Sequence, residues 1–222
     1  MLITSIQNPK IKYAIRLRNK SFRTRNSQIL IEGFEEVSSA FKNGIKIETI
    51  FYCSSFFEED LHHDFLEEIQ KSSPYLLLEC TEDVFKKMAY RENPDGWIAV
   101  ADKIESKLID IKFRDVPFVV VAESIEKPGN LGTILRSSDA SGADAVIVTD
   151  PTIDLNSPNV IRASVGTAFT IKAVESSNEE TLKWLKENNF QIYSAIPDAK
   201  AEYTNVDMTK PTAIVVGTEK TG

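Results

Sequence analysis

The pattern of apolar and polar positions is clearest between residues 117 and 150. Phe118 to Ala122 and Ala145 to Val148 are near-continuous apolar runs, typical of strands buried on both faces of a parallel sheet. Between them, apolar residues recur at helical spacing at Leu131, Ile134 and Leu135. The pattern therefore predicts a β–α–β unit, and in such sheets ligands bind beyond the carboxyl ends of the strands.

The turn that joins the first predicted strand to the helix carries polar residues. Asn130 occupies a position suited to an N-cap, and Gly142 is placed to end the helix. Arg136 has two explanations: its side chain extends from a half-buried face to solvent, or it points into the strand-end crevice and grips phosphate. Capping alone accounts for Asn130, so its role in a site is left open.

The rest of the chain alternates between helical and strand periodicity. Before residue 103, helices are predicted at 8–20, 35–42, 57–71 and 81–88, and strands at 28–31, 47–52, 75–78 and 97–100. After residue 150, Ser157-Pro158 caps a short helix and Asn178 a longer one, with strands at 169–174, 191–196 and 212–216. We predict an α/β protein with domains at 1–102 and 116–222, joined by a charged linker at 103–115.

Composition narrows the class of protein. The 222 residues are 42% hydrophobic and 27% charged, as in ordinary globular proteins, and no apolar run approaches the roughly 20 residues of a membrane span. The N-terminus lacks the apolar core of a secretory signal. We therefore predict a cytoplasmic protein with no membrane partner.

Cysteine and histidine give no metal-ligand pattern. Cys53 and Cys80 are too few for a disulfide framework and are predicted to be reduced core residues. His62 and His63 lie in an acidic, helix-like stretch, where a solvated helix face is expected rather than a metal site. We therefore predict no metal in this protein.

Charge is distributed unevenly along the chain. The net charge is −7, yet the first 25 residues contain seven basic residues and no acidic one. Taking those seven from the 26 basic residues leaves 19 against 33 acidic ones, a net charge of −14 elsewhere. This basic arm is either a solvated helix or a surface for RNA phosphates. Its members are Lys10, Lys12, Arg16, Arg18, Lys20, Arg23 and Arg25.

The glycine pattern excludes two classes of nucleotide-binding protein. No G-x-G-x-x-G motif follows a predicted strand and no P-loop is present, so nothing in the sequence is built to cradle a pyrophosphate. Two features remain at the strand ends: the turn with Asn130 and Arg136, and the loop Gly217-Thr218-Glu219. Taken alone, that loop is equally compatible with an ordinary turn.

Four segments, spread in order along essentially the whole chain, resemble the SpoU (TrmH-type) RNA 2′-O-ribose methyltransferases of the SPOUT superfamily. Asn130-Leu131-Gly132 with Arg136 and Gly142 resembles their first motif, and Val215 to Gly222 resembles the second. The stretch from Asn159 to Gly166 is similar to one that the family places between these motifs. The opening resembles the family's N-terminal substrate-binding domain at Ser5, Asn8-Pro9, Lys12 and Ile31-Glu32-Gly33.

The resemblance implies a fold, a cofactor and a partner. The N-terminal domain would be a small, ribosomal-protein-like α/β domain, and the C-terminal one a SPOUT α/β domain with a parallel sheet and a trefoil knot. The family's third motif should follow Gly222, so we expect the chain as given to be truncated and the knot incomplete. The implied activity is methyl transfer from S-adenosylmethionine to a ribose 2′-hydroxyl of rRNA or tRNA, by a homodimer formed through the C-terminal domain.

The resemblance also implies roles for single residues. Arg136 would help to activate the 2′-hydroxyl, either by gripping phosphate and orienting the hydroxyl or, as a deprotonated guanidine, by acting as a base. With Asn130 and Glu219 it forms the implied catalytic set. The basic arm would contact RNA, and the implied cofactor contacts are Ala195, Gly217 and Thr218. The alternative is a non-catalytic RNA-binding protein that retains the methyltransferase fold.

Overall fold

The computed structural model describes residues 2–72 and 76–218 and divides the chain into two compact units. The first unit contains Met1–Ile104 and Asn156–Phe169, and the second contains Glu105–Leu155 and Thr170–Gly222. The chain thus leaves the second unit after Leu155 and returns to it at Thr170. Hydrophobic periodicity did not predict that residues 156–169 belong to the first unit. The predicted domain limits, with a linker at 103–115, stay a prediction.

The first unit is built on a mixed five-stranded sheet of order β1-β4-β3-β5-β2, in which β5 runs antiparallel to β2 and β3. This confirms the predicted α/β class for the N-terminal half. The strands and helices are, in chain order, β1 (Leu2–Ile3), α1 (Pro9–Arg16), α2 (Lys20–Asn26), β2 (Gln28–Glu32), α3 (Phe34–Lys42), β3 (Ile47–Tyr52), α4 (Asp60–Lys71), β4 (Leu76–Cys80), α5 (Glu82–Met88) and β5 (Trp97–Asp102).

The single helix predicted at 8–20 is wrong, because the structure has two helices there. The Asn8 side chain accepts a hydrogen bond from the Lys10 amide and begins α1, which ends at Arg16. Asn19 then caps a new helix by accepting from the amides of Ser21 and Phe22. Asparagine competes for backbone hydrogen bonds and favours caps over helix interiors, so a second asparagine starts a second helix.

His62 lies in the core of the first unit, and the prediction of a solvated helix face is wrong for it. It is 8% exposed, its Nδ1 accepts from Trp97 Nε1 at 3.3 Å, and its ring stacks on Phe34 with centroids 4.2 Å apart. Helical spacing puts it on the buried face of α4 with Phe65 and Ile69, whereas His63 is exposed. Within residues 2–72 and 76–218, no group of three or more His, Cys, Asp or Glu side chains could hold a metal.

Cys53 and Cys80 are buried free thiols in the core of the first unit. Burial raises the pKa of the Cys53 thiol, and it raises that of Cys80 to about 12. Both cysteines are thus free, buried members of the core, as predicted.

The second unit is a five-stranded, fully parallel sheet of order β8-β7-β6-β10-β9, which confirms the predicted sheet. The trefoil knot stays a prediction. None of the helices in the described part of the chain has the length and apolarity that a bilayer crossing demands. The remaining elements are β6 (Phe118–Glu123), α6 (Pro128–Ala140), β7 (Ala145–Thr149), α7 (Pro158–Ala163, in the first unit), β8 (Lys172–Ser176), α8 (Asn178–Glu187), β9 (Gln191–Ala195) and β10 (Thr212–Val216).

Two predicted helix caps are wrong, and the position of Asn130 changes as a result. Helix α6 begins at Pro128, whose fixed φ suits the first helical position, so Asn130 lies inside the first turn. Helix α8 is capped by Ser177, whose hydroxyl forms a capping box with Glu180. Gly142 does end α6 as predicted, with φ at +72°.

Glu36 of α3 is a buried carboxyl group in the first unit. It is 2% exposed, and its Oε1 lies 2.9 Å from Arg91 Nη2. Burial outweighs the attraction of Arg91 and raises its pKa from the ordinary 4.5 to about 7.

We predict that Glu36 makes the free energy of unfolding fall as pH rises. The folded-state pKa exceeds the unfolded one, so this contribution is fully present below pH 4.5 and is lost as pH rises through about 7. In urea unfolding between about pH 4 and 8, Glu36→Gln should reduce the decrease of the free energy of unfolding with pH. Glu35→Gln, at an exposed position of the same helix, should leave that decrease unchanged. Equal slopes for parent and Glu36→Gln would contradict the assignment.

Candidate functional site

The carboxyl ends of the parallel strands in the second unit lie level at one edge of the sheet. Val216 of β10 pairs with Ala122 of β6 on one side and with Ala195 of β9 on the other. Glu123, the last residue of β6, pairs with Thr149, the last of β7. The loops that follow these strands therefore emerge side by side.

The strand order places a crevice between β6 and β10. From β6 the sheet continues through β7 and β8 on one side and through β10 and β9 on the other, which makes this the topological switch point where ligands bind in open α/β sheets. A small cleft at this position joins the loop after β6 to the loop after β10. It is lined by Ile125, Glu126, Lys127, Asn130, Gly217 and Thr218.

The cleft brings together three of the predicted site residues. Asn130 comes from the first motif, and Gly217 and Thr218 come from the second, so the fold joins the two motifs. Arg136 does not line the cleft; it lies farther along α6 with an exposed side chain. Glu219 lies outside the described residues.

A larger cavity of about 330 Å³ opens next to Gly217 and contains the predicted Ala195 in its wall. Much of the wall is apolar and comes from Val121, Leu182, Leu185, Ile192, Ile196 and Val215. Its polar lining consists of Glu123, Thr149, Asn178, Thr181 and Ser194. In this lining, the Asn178 amide Nδ2 donates to Glu123 Oε1 at 3.2 Å.

Two hydroxyl groups of this cavity are buried without a hydrogen bond. Thr149 and Thr181 are 0% and 3% exposed, and neither Oγ1 has a partner among the described residues. An unsatisfied buried hydroxyl costs about 1–3 kcal/mol, so each is a position where a ligand atom would be stabilised. Neither threonine was predicted from the sequence; the available signal for Thr149 was its position at the end of the buried run 145–148.

Backbone strain marks the same edge of the sheet. Ser124 and Asp150, the residues that directly follow β6 and β7, have φ of 49° and 43°. Their amides donate to Thr149 O and Ser176 O, each at 3.0 Å. A left-handed conformation costs a non-glycine residue about 1–2 kcal/mol, and such strain is found preferentially at ligand sites.

The basic arm lies in the first unit, and one of its members has a structural role. Arg23 is 3% exposed, and its Nη1 donates to the carbonyl oxygens of Leu17 and Arg18, each at 2.8 Å. It therefore stabilises the turn between α1 and α2 and is not available to a phosphate. Arg18 is half-buried, and the side chains of Lys10, Lys12, Arg16, Lys20 and Arg25 are exposed.

Comparison with known families matches both halves of the chain. Residues 117–222 match the SpoU rRNA Methylase family, and residues 8–99 match the MRM3-like substrate binding domain. A solved structure, described as an RNA 2′-O ribose methyltransferase, is 37% identical over 98% of this chain and 81% of its own, with a TM-score of 0.82. The chain belongs to the SpoU rRNA methylase family. This confirms the family resemblance on which the motif assignments rest.

Two further relatives of this SpoU family member cover almost all of it. The 23S rRNA (guanosine(2553)-2′-O)-methyltransferase RlmP of Bacillus subtilis is 29% identical over 99% of the chain and 83% of its own length. The AdoMet-bound rRNA methyltransferase of Sinorhizobium meliloti is 27% identical over 100% of the chain and 82% of its own, with a TM-score of 0.87.

We predict that Thr149→Val raises the free energy of unfolding of the ligand-free protein by about 1 kcal/mol, because valine keeps the shape and removes an unsatisfied hydroxyl. Thr212→Val is the matched control. Thr212 is also buried in this sheet, at 3% exposure, but its Oγ1 donates to Lys210 O at 2.7 Å. Its replacement should lower stability by a similar amount in chemical denaturation. Changes of the same sign in both variants would contradict the assignment.

Proposed function

We propose that this protein transfers a methyl group from S-adenosylmethionine to a ribose 2′-hydroxyl of ribosomal RNA. The observation that carries the proposal is the match of the whole chain to SpoU family 2′-O-methyltransferases, with AdoMet-bound neighbours of the same fold. Ribosomal RNA is favoured over tRNA because the relatives with assigned substrates are named for rRNA. A non-catalytic RNA-binding protein is not favoured, since these relatives are named as enzymes.

The residues at the sheet edge fit S-adenosylmethionine, which supplies an electrophilic methyl group on a sulfonium. The hydroxyls of Thr149 and Thr181, which have no partner among the residues that the structure describes, offer hydrogen bonds to its polar atoms, and the Glu123 carboxylate complements its positive charge. The apolar side chains of the wall suit the less polar parts of the cofactor. Gly217 and Ala195 line this cavity, and Thr218 lines the adjoining cleft, so their proposed role is to hold the cofactor through the backbone and small side chains.

The proposed catalytic contribution of the chain is to position the acceptor. A free hydroxyl is a weak nucleophile, so its orientation and the removal of its proton limit the reaction. Asn130, in the cleft with Gly217 and Thr218, would orient the ribose hydroxyl. Arg136 would hold the adjoining phosphate through its planar guanidinium, whose fork of N–H donors matches the phosphate oxygens. Glu219 is the proposed partner of Asn130 or Arg136.

We also propose a homodimer formed through the second unit, as the family resemblance implies. Apolar side chains around the edge strand β9 are exposed and would gain from being covered by a second copy: Leu182 is 45% exposed, Ile192 36% and Ile196 49%. The exposed members of the basic arm would contact RNA phosphates. A cytoplasmic location stays a prediction.

We expect Arg136→Ala to reduce methyl transfer into rRNA by about 10²- to 10³-fold, because the contact that positions the acceptor through its phosphate is lost. The affinity for S-adenosylmethionine, measured by calorimetry, should be unchanged, because Arg136 lines neither the cavity next to Gly217 nor the cleft that contains Asn130. Arg136→Lys should not restore the rate, because a point charge lacks the planar fork.

The matched control is Ser137→Ala, at the neighbouring exposed position of α6, which should retain the parental rate. Transfer of a labelled methyl group at the parental rate by Arg136→Ala would remove Arg136 from the site. Absence of both cofactor binding and RNA labelling in the parent protein would overturn the proposed function itself.

A further inference from the structure

Tyr90 is an exposed aromatic residue on a fixed backbone. Its ring lies in the loop between α5 and β5, and the residue is 59% exposed. Both carboxylate oxygens of Glu32 accept from the Tyr90 amide at 2.9 Å, and Glu32 also accepts from the Arg91 amide at 2.9 Å. Charge-assisted bonds of this kind hold the backbone of the loop in place.

Further polar contacts connect this loop to α3. Arg91 bridges the buried carboxyl group of Glu36, at 2.9 Å, and Asp95, at 3.4 Å. Asp95 in turn accepts from the Phe34 amide at 2.8 Å. These contacts hold the backbone on both sides of the loop in place. The exposure of the Tyr90 ring is therefore set by the fold.

Two arginines from distant parts of the sequence lie over the Tyr90 ring, and the residue still remains 59% exposed to an incoming base. The guanidinium carbon of Arg162, on α7, lies 4.9 Å from the ring centroid, and that of Arg18 lies 5.8 Å away. Arg18 also donates through Nη2 to Met88 O, while its buried Nε has no hydrogen-bond partner in the part of the chain that the structure describes. All three residues belong to the first unit.

The position of Arg162 is set by packing within the first unit. Asn156 exchanges hydrogen bonds with the backbone of Ile104 at 2.8 and 3.0 Å, and Ser39 Oγ donates to Gly166 O at 2.8 Å. Ile161, 1% exposed, joins the core of this unit. Gly166 has φ of +78°, and a Cβ there would approach Ser39 Cβ to 2.7 Å, so the segment docks closely.

We propose that Tyr90, Arg18 and Arg162 form a nucleotide platform for a single-stranded part of the RNA substrate, with a base stacked on the ring and phosphates held by the guanidinium groups. Single-stranded RNA is bound through this combination of aromatic stacking and positive charge. An acidic peptide would use the arginines but not the exposed ring. The basic arm of the same unit provides further positive charge. The inference rests on the proposed function in naming RNA as the ligand.

The experiment compares Tyr90→Ala and Tyr90→Phe in binding to a fluorescent single-stranded RNA of about 12 nucleotides, by anisotropy at several salt concentrations. Tyr90→Ala should weaken binding about 5- to 150-fold with an unchanged salt slope, and Tyr90→Phe should bind like the parent, since stacking needs only the ring. Arg162→Ala should reduce the log–log salt slope by about 0.7. The matched control is Tyr203→Ala, which removes a tyrosine that is 79% exposed in the second unit and should have no effect.

A second readout is photo-crosslinking of the same RNA carrying 5-iodouridine, which should label Tyr90 in the parent. Parental affinity of Tyr90→Ala, or equal losses in Tyr90→Ala and Tyr203→Ala, would overturn the platform. A loss in Arg162→Ala alone would show an anion-binding patch and would also overturn it. The thermal unfolding temperature of Tyr90→Ala should equal that of Tyr90→Phe. If Tyr90→Ala is less stable, its loss of affinity is set aside, and the presence or absence of a crosslink at Tyr90 in the parent tests the platform. Crosslinking at Tyr90 in a protein without methyl transfer activity would support the platform and overturn only the proposed function.

Discussion

The parallel pairing of β10 between β6 and β9 is the constraint on which the site in the second unit depends. Because Val216 is level with Ala122 and Ala195, the loops after these strands leave the sheet together. The cleft with Asn130 and Gly217 exists only in this register. A shift by one residue would exchange the faces of β10 and separate the two motifs.

The same edge of the sheet concentrates energetically unfavourable features. Within the described part of the chain, the buried hydroxyls of Thr149 and Thr181 have no hydrogen-bond partner, and Ser124 and Asp150 adopt left-handed backbones. Such costs, of order 1–3 kcal/mol each, are tolerated when the surrounding core over-determines the local structure. Here the surrounding core includes β6 and β7, which are parallel and almost completely buried. This distribution supports the proposed cofactor site at this edge of the sheet.

The sequence was sufficient to predict the α/β class, most strands and the SpoU family. Its failures have local physical causes. Asn19 and Ser177 cap helices at positions that the apolar periodicity did not indicate. The prediction for His62 was wrong because its acidic neighbours suggested a solvated helix, whereas His62 itself lies on the apolar face of α4. Arg23 has the same charge as its exposed neighbours, and only the turn between two helices buries it.

Tertiary juxtapositions could not be predicted from periodicity. Segment Asn156–Phe169 follows a strand of one unit and packs in the other, so Arg162 reaches Tyr90 only in the folded chain. The unsatisfied state of Thr149 likewise depends on what surrounds it in three dimensions. The motifs predicted residues that the fold brings to one edge of the sheet, whereas the polar atoms proposed to contact the cofactor could be identified only from the structure.

Hydrogen–deuterium exchange with and without S-adenosylmethionine tests whether the cofactor binds at the carboxyl edge of the second sheet. Slower exchange is expected in the loops at the carboxyl edge of the second sheet, within 124–131 and 216–218 and at the end of β9, with no change in α7 of the first unit. Protection confined to the first unit, or an unchanged pattern at saturating cofactor, would contradict a cofactor site at this edge.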